Sequence, residues 1–148
     1  MTPAGFMRMA LAEARAAARA GEVPVGAVIV RAGKVVARGR NAIVRTHDPS
    51  AHAELVAIRR AAARLRNERL TGCVLYTTLE PCAMCAGAIV LARLDEVVYG
   101  ARDPRAGAAG SVVNLVDHPR LNHRAKVRGP VGPAACGGLL RGFFRARR

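Results

Sequence analysis

Residues 77–90 read TTLEPCAMCAGAIV, and two cysteines, Cys82 and Cys85, stand three positions apart where a strand-like run passes into a helix-like one. On a helix, positions i and i+3 share a face. At a first turn they also meet the positive end of the helix dipole, which favours thiolates. Two chemistries suit that arrangement, a redox pair after a strand and a metal site. A metal needs further ligands, and a second cluster supplies one: His52-Ala53-Glu54, at the start of another helix-like stretch. An imidazole and two thiolates make three protein ligands for a tetrahedral ion. A structural zinc site closes with four, whereas a catalytic one keeps a position for water. No fourth ligand stands beside either cluster. Glu54 lies two positions from His52, a spacing that does not share a helical face. It is therefore a poor co-ligand, but it can reach a metal-bound water from another side.

The surrounding sequence tells which elements carry the two clusters. CVLYTT (73–78) reads as the strand leading to the cysteines, and residues 82–93 as the helix after it. Residues 4–20 read as a helix, with Phe6, Leu11, Ala14 and Ala18 at helical spacing. VGAVIV (25–30) and KVVARG (34–39) flank an RAG turn and form a hairpin. After the loop NAIVRTHDPS, a second helix starts near Ala51, with Asp48 or Ser50 as N-cap and Pro49 at the boundary. Leu55, Ile58, Ala62 and Leu65 are its apolar stripe. EVVYGA (96–101) is a fourth strand. Residues 102–125 read mostly as loop, with a short helix around SVVNLV, and AKVRG as a fifth strand. A C-terminal helix begins near residue 134, weakened by Gly137 and Gly138. Strands alternating with helices imply a sheet with helices on its faces.

The 148 residues, 51% of them hydrophobic, suit one domain over 1–148 with a sizeable core. No apolar run is long enough to span a bilayer. The N-terminal MTPAGFMRMALAEARAAARAGE carries charges through its apolar positions and has no signal-peptide core, so a cytoplasmic protein is expected. Four cysteines are not a disulfide framework. The two lone ones, Cys73 and Cys136, read as core fillers. The net charge is +14, and residues 118–148 contain no acidic side chain but carry Arg120, Arg124, Lys126, Arg128, Arg141, Arg145, Arg147 and Arg148. Such a tail attracts phosphate backbones. With only two lysines in the chain, the arginine content also reads as a compositional bias.

HxE followed by PCxxC, with 30 positions from His52 to Cys82, is the zinc-deaminase signature. Further stretches narrow it. From EVPVGAVIV through HDPSAHAE, LYTTLEPCAMCAGAIV, VVYGARDPRAGAAGS and LNHR to GFFRARR, nearly the whole chain resembles the bacterial tRNA-specific adenosine deaminases. The resemblance implies an α/β protein with a three-layer α/β/α cytidine-deaminase-like fold around a five-stranded mixed sheet, assembled as a homodimer. It implies hydrolytic deamination of adenosine to inosine at the wobble position of tRNA, most characteristically the arginine tRNA with anticodon ACG. By motif, His52, Cys82 and Cys85 are ligands of one Zn2+ per subunit and Glu54 is the proton shuttle. Asn41 matches the base-contacting Asn. Backbone groups of Ala53 and Cys82 help bind the ring and leaving group. Asp103 and Arg105, and Asn122 and His123, match segments that touch the anticodon stem-loop. Each has a plainer reading beside it: Asn41 as a turn residue, Asp103 as a loop cap, His123 as a core histidine. Ala135 stands where that family carries an acidic residue.

Two other functions compete. One is deamination of a free nucleobase or nucleoside such as guanine or cytosine, which the zinc motif alone accommodates and the basic tail disfavours. The other is a zinc-stabilised RNA-binding module without catalysis. A structural site has no use for a carboxylate beside an open ligand position, so Glu54 weighs against it.

Overall fold

Apolar residues alternate between the two faces of the central strands, and both faces are covered. In the computed structural model, which describes residues 1–147, five strands form one sheet in the order β2-β1-β3-β4-β5. They are β1 (Gly26–Arg31), β2 (Lys34–Arg40), β3 (Cys73–Leu79), β4 (Glu96–Ala101) and β5 (Lys126–Arg128). β1 pairs antiparallel with β2 and β3, while β3, β4 and β5 run parallel, so the sheet is mixed. The helices are α1 (Pro3–Arg19), α2 (Ile43–Thr46), α3 (Ala53–Leu65), α4 (Ala83–Leu91) and α5 (Pro133–Ala146).

Ala27 and Ile29 of β1, Leu75 of β3 and Val97 of β4 pack with Ala57, Ile58 and Ala61 of α3 and Ala86 and Ile89 of α4. Val28, Val30, Tyr76 and Val98 pack on the opposite face with Phe6, Met7, Ala10 and Leu11 of α1 and Cys136 of α5. Strands buried on both faces read as continuous apolar runs, which is why VGAVIV shows no polar alternation. Leu70, Leu75, Ile89, Leu94 and Val97 have no exposure at all. Each such side chain contributes about 1.5–3 kcal/mol relative to an exposed one.

The small residues place the helices. A Cβ at Gly39 of β2 would overlap the backbone of Ala53 and Ala57, and one at Gly26 of β1 would overlap that of Ala10 and Ala14. Glycine at these points lets α3 and α1 lie directly on the sheet. From α3, Arg60 and Arg64 reach sideways to the carbonyls of Arg38 and Val36 on the edge strand β2, at 2.9 and 3.3 Å.

The hairpin turn, β4, the first helix and the fifth strand fall where the sequence places them. Cys73 and Cys136 are buried free thiols, as expected of core residues. Three expectations are corrected. The helix after HDPS begins at Ala53 with His52 as N-cap. Asp48 does not cap it, because its Oδ1 accepts from the N–H and hydroxyl of Ser50 and turns the chain before the helix starts. Cys82 likewise precedes its helix as N-cap. SVVNLV is not helical: Val112 and Val113 are exposed, and Asn114 bridges to Ala109. The one-turn α2 was read as plain loop. The buried carboxylate of Glu22 makes it, accepting from the first-turn amides of Val44 and Arg45 at 3.0 and 2.8 Å. α5 forms despite Gly137 and Gly138, because Cys136 packs under Gly100 of β4, where no Cβ would fit.

Gly39→Val is expected to lower stability by about 1–3 kcal/mol or more by overpacking β2 against α3, and to reduce the metal retained per chain. Gly87→Ala on α4, where nothing lies within 4 Å of the added methyl, serves as control and should be neutral or stabilising. Denaturant unfolding with elemental analysis of both variants reads this.

Candidate active site

Two helix N-termini meet at the end of β3. His52 is the extended residue before α3 and Cys82 the extended residue before α4, so each side chain projects past the start of its own helix. Cys85 lies in the first turn of α4 and is fully buried. His52 Nδ1 is 3.6 Å from Sγ of Cys82 and 3.6 Å from Sγ of Cys85. All three donor atoms lie within 4.8 Å of one another. A tetrahedral ion with Zn–N of about 2.0–2.1 Å and Zn–S of about 2.3 Å sets its ligands about 3.5–3.8 Å apart. The donor chemistry and the spacing both fit such an ion.

The charges fit as well. Hydrogen bonds from Cys85 and then His52 draw the Cys82 thiol down to about 3. Cys85 moves the other way, driven far up by its bond to Cys82 and by burial. The Cys82 partnership also raises His52. Two thiols in contact resist double ionisation, and a divalent cation between them removes that conflict. The two helix dipoles add positive potential at the same point.

Glu54, in the first turn of α3, is 3% exposed. Burial pushes its carboxyl up to about 7, against the opposing pull of its backbone N–H and His52. Glu54, His52 and Cys82 line one cavity of about 220 Å³ together with Asn41, Leu79, Glu80 and Asp103. Asn41 is buried, and its Oδ1 accepts from the N–H of Ala53 at 2.8 Å. It therefore caps α3 from a distance, tying Ala53 in place.

The other sequence-derived candidates divide. Asp103 lines the cavity and also caps its own loop, its Oδ1 accepting from Arg105 and Ala106 at 3.1 Å. Arg105 lies in an adjoining open cavity of about 870 Å³, whose wall includes Arg141, Phe144, Arg145 and Arg147. Among the described residues, none of those four arginines is ion-paired. Arg147 stacks on Phe143 with its guanidinium carbon 3.5 Å from the ring centre. Arg148, named with this group on sequence, lies outside the described residues. Asn122 and His123 line neither cavity. The Asn122 carbonyl accepts from Arg93, and His123 Nε2 stands 2.7 Å from the Leu94 carbonyl, anchoring the chain beside β4. Sequence reasoning passed over Glu80 and Glu22. An acidic residue two positions before Cys82 was the available signal for Glu80. Nothing local marked Glu22.

A model of MafB19-like deaminases matches residues 2–148. The tRNA-specific adenosine deaminase of Bacillus subtilis (strain 168) is 46% identical over 143 residues, 97% of this chain and 89% of that protein. A structure from studies of A-to-I editing by tRNA:A34 deaminases at the wobble position of transfer RNA is 44% identical, with a TM-score of 0.88, covering 92% of this chain and 99% of that one. The guanine deaminase of Nitrosomonas europaea is 26% identical with a TM-score of 0.83, covering 96% and 84%. No helix among the described residues is long and apolar enough to cross a membrane.

One metal ion per chain is expected by elemental analysis of the purified protein. His52→Ala, Cys82→Ser and Cys85→Ser should each lose it, whereas Cys73→Ala and Cys136→Ala should keep it. Retention in any of the first three contradicts the ligand set.

Proposed function

The chain belongs to the tRNA-specific adenosine deaminase family, whose reaction converts adenosine to inosine in tRNA, and we propose that its target is the wobble adenosine of the arginine tRNA with anticodon ACG. Residues 1–148 act as one cytoplasmic deaminase domain, with one zinc per subunit held by His52 Nδ1, Cys82 Sγ and Cys85 Sγ. When bound, zinc supplies a water acidified to a pKa of about 7 and polarised for attack. The observation that carries this reading is a buried carboxylate, Glu54, beside a three-donor cluster at the floor of a base-sized cavity.

The chain's own groups divide the work. The cavity is smaller than the roughly 300–1,000 Å³ typical of drug-sized ligands, so it suits one flat base. The apolar Leu79 and Val25 flank that base. Asn41 has its Oδ1 committed to Ala53, which leaves its Nδ2 to donate to the ring. Ala53 serves the ring through Asn41, whose amide its N–H orients, and the Cys82 backbone faces the departing amine. Glu54 takes a proton from the attacking water, delivers it to the ring nitrogen, and returns a proton to the leaving ammonia. Burial keeps the carboxylate from being levelled by bulk water. The adjoining cavity receives the neighbouring nucleotides, with Arg105, Arg141, Arg145 and Arg147 set against phosphates and Asp103 shaping the loop between the two cavities. Asn122 and His123 contact the anticodon stem-loop away from the extruded base. An anticodon loop is already unpaired, so extruding its base costs little.

The guanine deaminase likeness keeps a second reading in view, hydrolysis of a free base. Identity of 44–46% to the tRNA enzymes against 26% to that protein favours the first. Incubation with an ACG anticodon stem-loop, followed by mass analysis of the RNA, separates them. Inosine should appear in the RNA, and ammonia should not be released from free guanine or adenosine. Glu54→Ala should retain metal and RNA binding and lose about 10²–10⁴-fold or more of turnover; a rate within about tenfold of the parent removes Glu54 from the proton-transfer role.

Replacing Arg141, Arg145 and Arg147 by Gln should weaken binding to all RNAs alike and flatten the dependence of affinity on salt, since each lost phosphate contact removes counterion release. Turnover at saturating RNA should change little.

A homodimer is part of the same reading. In the apolar CAGAIVLA run, Ala86 and Ile89 are spent on the core, Val90 is buried and Cys85 faces the donor cluster. Met84 and Leu91 remain outside at 41% and 79% exposure. Leu91→Asp should convert a sedimenting dimer into a monomer at micromolar protein, and a parent that sediments as a monomer rejects the dimer.

A further inference from the structure

Glu80 is 2% exposed, lies two residues before the ligand Cys82, and is not a ligand itself. All of its acceptor capacity is directed at one loop. Oε1 accepts from the N–H of Asp103 at 3.1 Å and from the Ser111 hydroxyl, and Oε2 accepts from the N–H groups of Ala109 and Ser111 at 3.0 Å each. The neighbouring backbone adds to the joint. Glu80 N donates to the Ala101 carbonyl and Ala108 N donates to that of Pro81, both at 2.8 Å. Gly107 lies so close that a Cβ there would overlap the Glu80 carboxylate. The loop so gathered, residues 102–111, supplies Asp103 and Ala106 to the small cavity and Asp103 to Ala106 to the larger one.

We propose that Glu80 is a positioning residue for substrate recognition, its carboxylate fixing the wall that holds the RNA at a set distance from the metal ligands. Apart from those backbone bonds, the segment that carries Cys82 and the segment that lines the cavities are separate loops. Four donors converging on one carboxylate make them a single rigid piece, and charge-assisted bonds of this kind are roughly twice as strong as neutral ones. Glutamine replaces it only in part. An amide presents one acceptor oxygen and one NH₂: at the Oε2 position the NH₂ meets two N–H donors, and at the Oε1 position it meets the Asp103 N–H, where only the Ser111 hydroxyl can turn to accept. The carboxylate is thus required for its geometry and touches no reacting atom. The wall contacts the substrate equally in the ground and transition states, so its loss raises KM and spares kcat.

This inference rests on the tRNA reading, and the tests separate the two. Glu80→Gln, with metal loaded, is assayed on the ACG stem-loop, and Ser111→Ala serves as the milder variant should Glu80→Gln fold poorly. The expectation for Glu80→Gln is a KM raised by about tenfold or more with kcat per folded, metal-loaded site within about threefold. Ser111→Ala should move in the same direction by less. Amide hydrogen exchange, read without any substrate, should show Ala109 and Ser111 losing protection while α3 and α4 keep theirs. Metal per chain should be unchanged. Unchanged exchange and KM, or a fall in kcat at unchanged KM, overturns the positioning role. If the parent forms no inosine, the tRNA reading fails by itself, and the exchange experiment still decides whether Glu80 holds the loop.

Discussion

Everything at the site depends on how two helix starts are held within ligand distance of each other. A helix start carries unpaired amides and positive potential, and two of them together attract anionic groups and repel each other. The protein meets both demands with neighbours rather than with ordinary caps. Neither His52 nor Cys82 makes a side-chain cap bond, which leaves both free to face a metal. Asn41 takes up the Ala53 amide of α3 from another segment. The parallel crossover from β3 through α4 to β4 sets α4 at the end of β3, and Gly39 lets α3 settle on β2.

Around that point the structure separates tasks by burial. Cys85 and Glu54 are buried, and His52 and Cys82 are half-buried. His52, Glu54 and Cys82 therefore line a narrow cavity, and the arginines without an ion pair among the described residues sit outside it, along a wider one. Such a division suits a long charged substrate of which one base enters.

The sequence disclosed the site more sharply than the elements around it. His52, Glu54, Cys82 and Cys85 were legible because metal and proton chemistry restrict residue type and spacing together. The strands were legible because both faces are buried and the runs are apolar. Helix starts were misplaced by one to a few residues, since Asp48 looked like a cap on its own and only the fold shows it bonded to Ser50. SVVNLV had a helix-like run of apolar residues. The amides preceding and opening it are taken by Glu80, some thirty positions away, and no local pattern records a partner at that distance. Glu22 escaped for the same reason, being a surface-type residue whose role depends on α2 folding over it. Asn122 and His123 were chosen by likeness and lie away from both cavities of a single chain.

The arginines that reach from α3 to the carbonyls of β2 have a consequence for self-assembly. A strand at the rim of a sheet is an open template on which another chain can lengthen the sheet. Arg60 and Arg64 fill the acceptor positions of Arg38 and Val36 with tethered cations, and like charge meets any copy that approaches in register. The opposite rim, β5, is three residues long and is followed closely by Pro130, which has no N–H to offer. Growth by strand addition is thus disfavoured at both rims, which leaves the helical faces as the surfaces through which copies of this chain could meet without forming fibres.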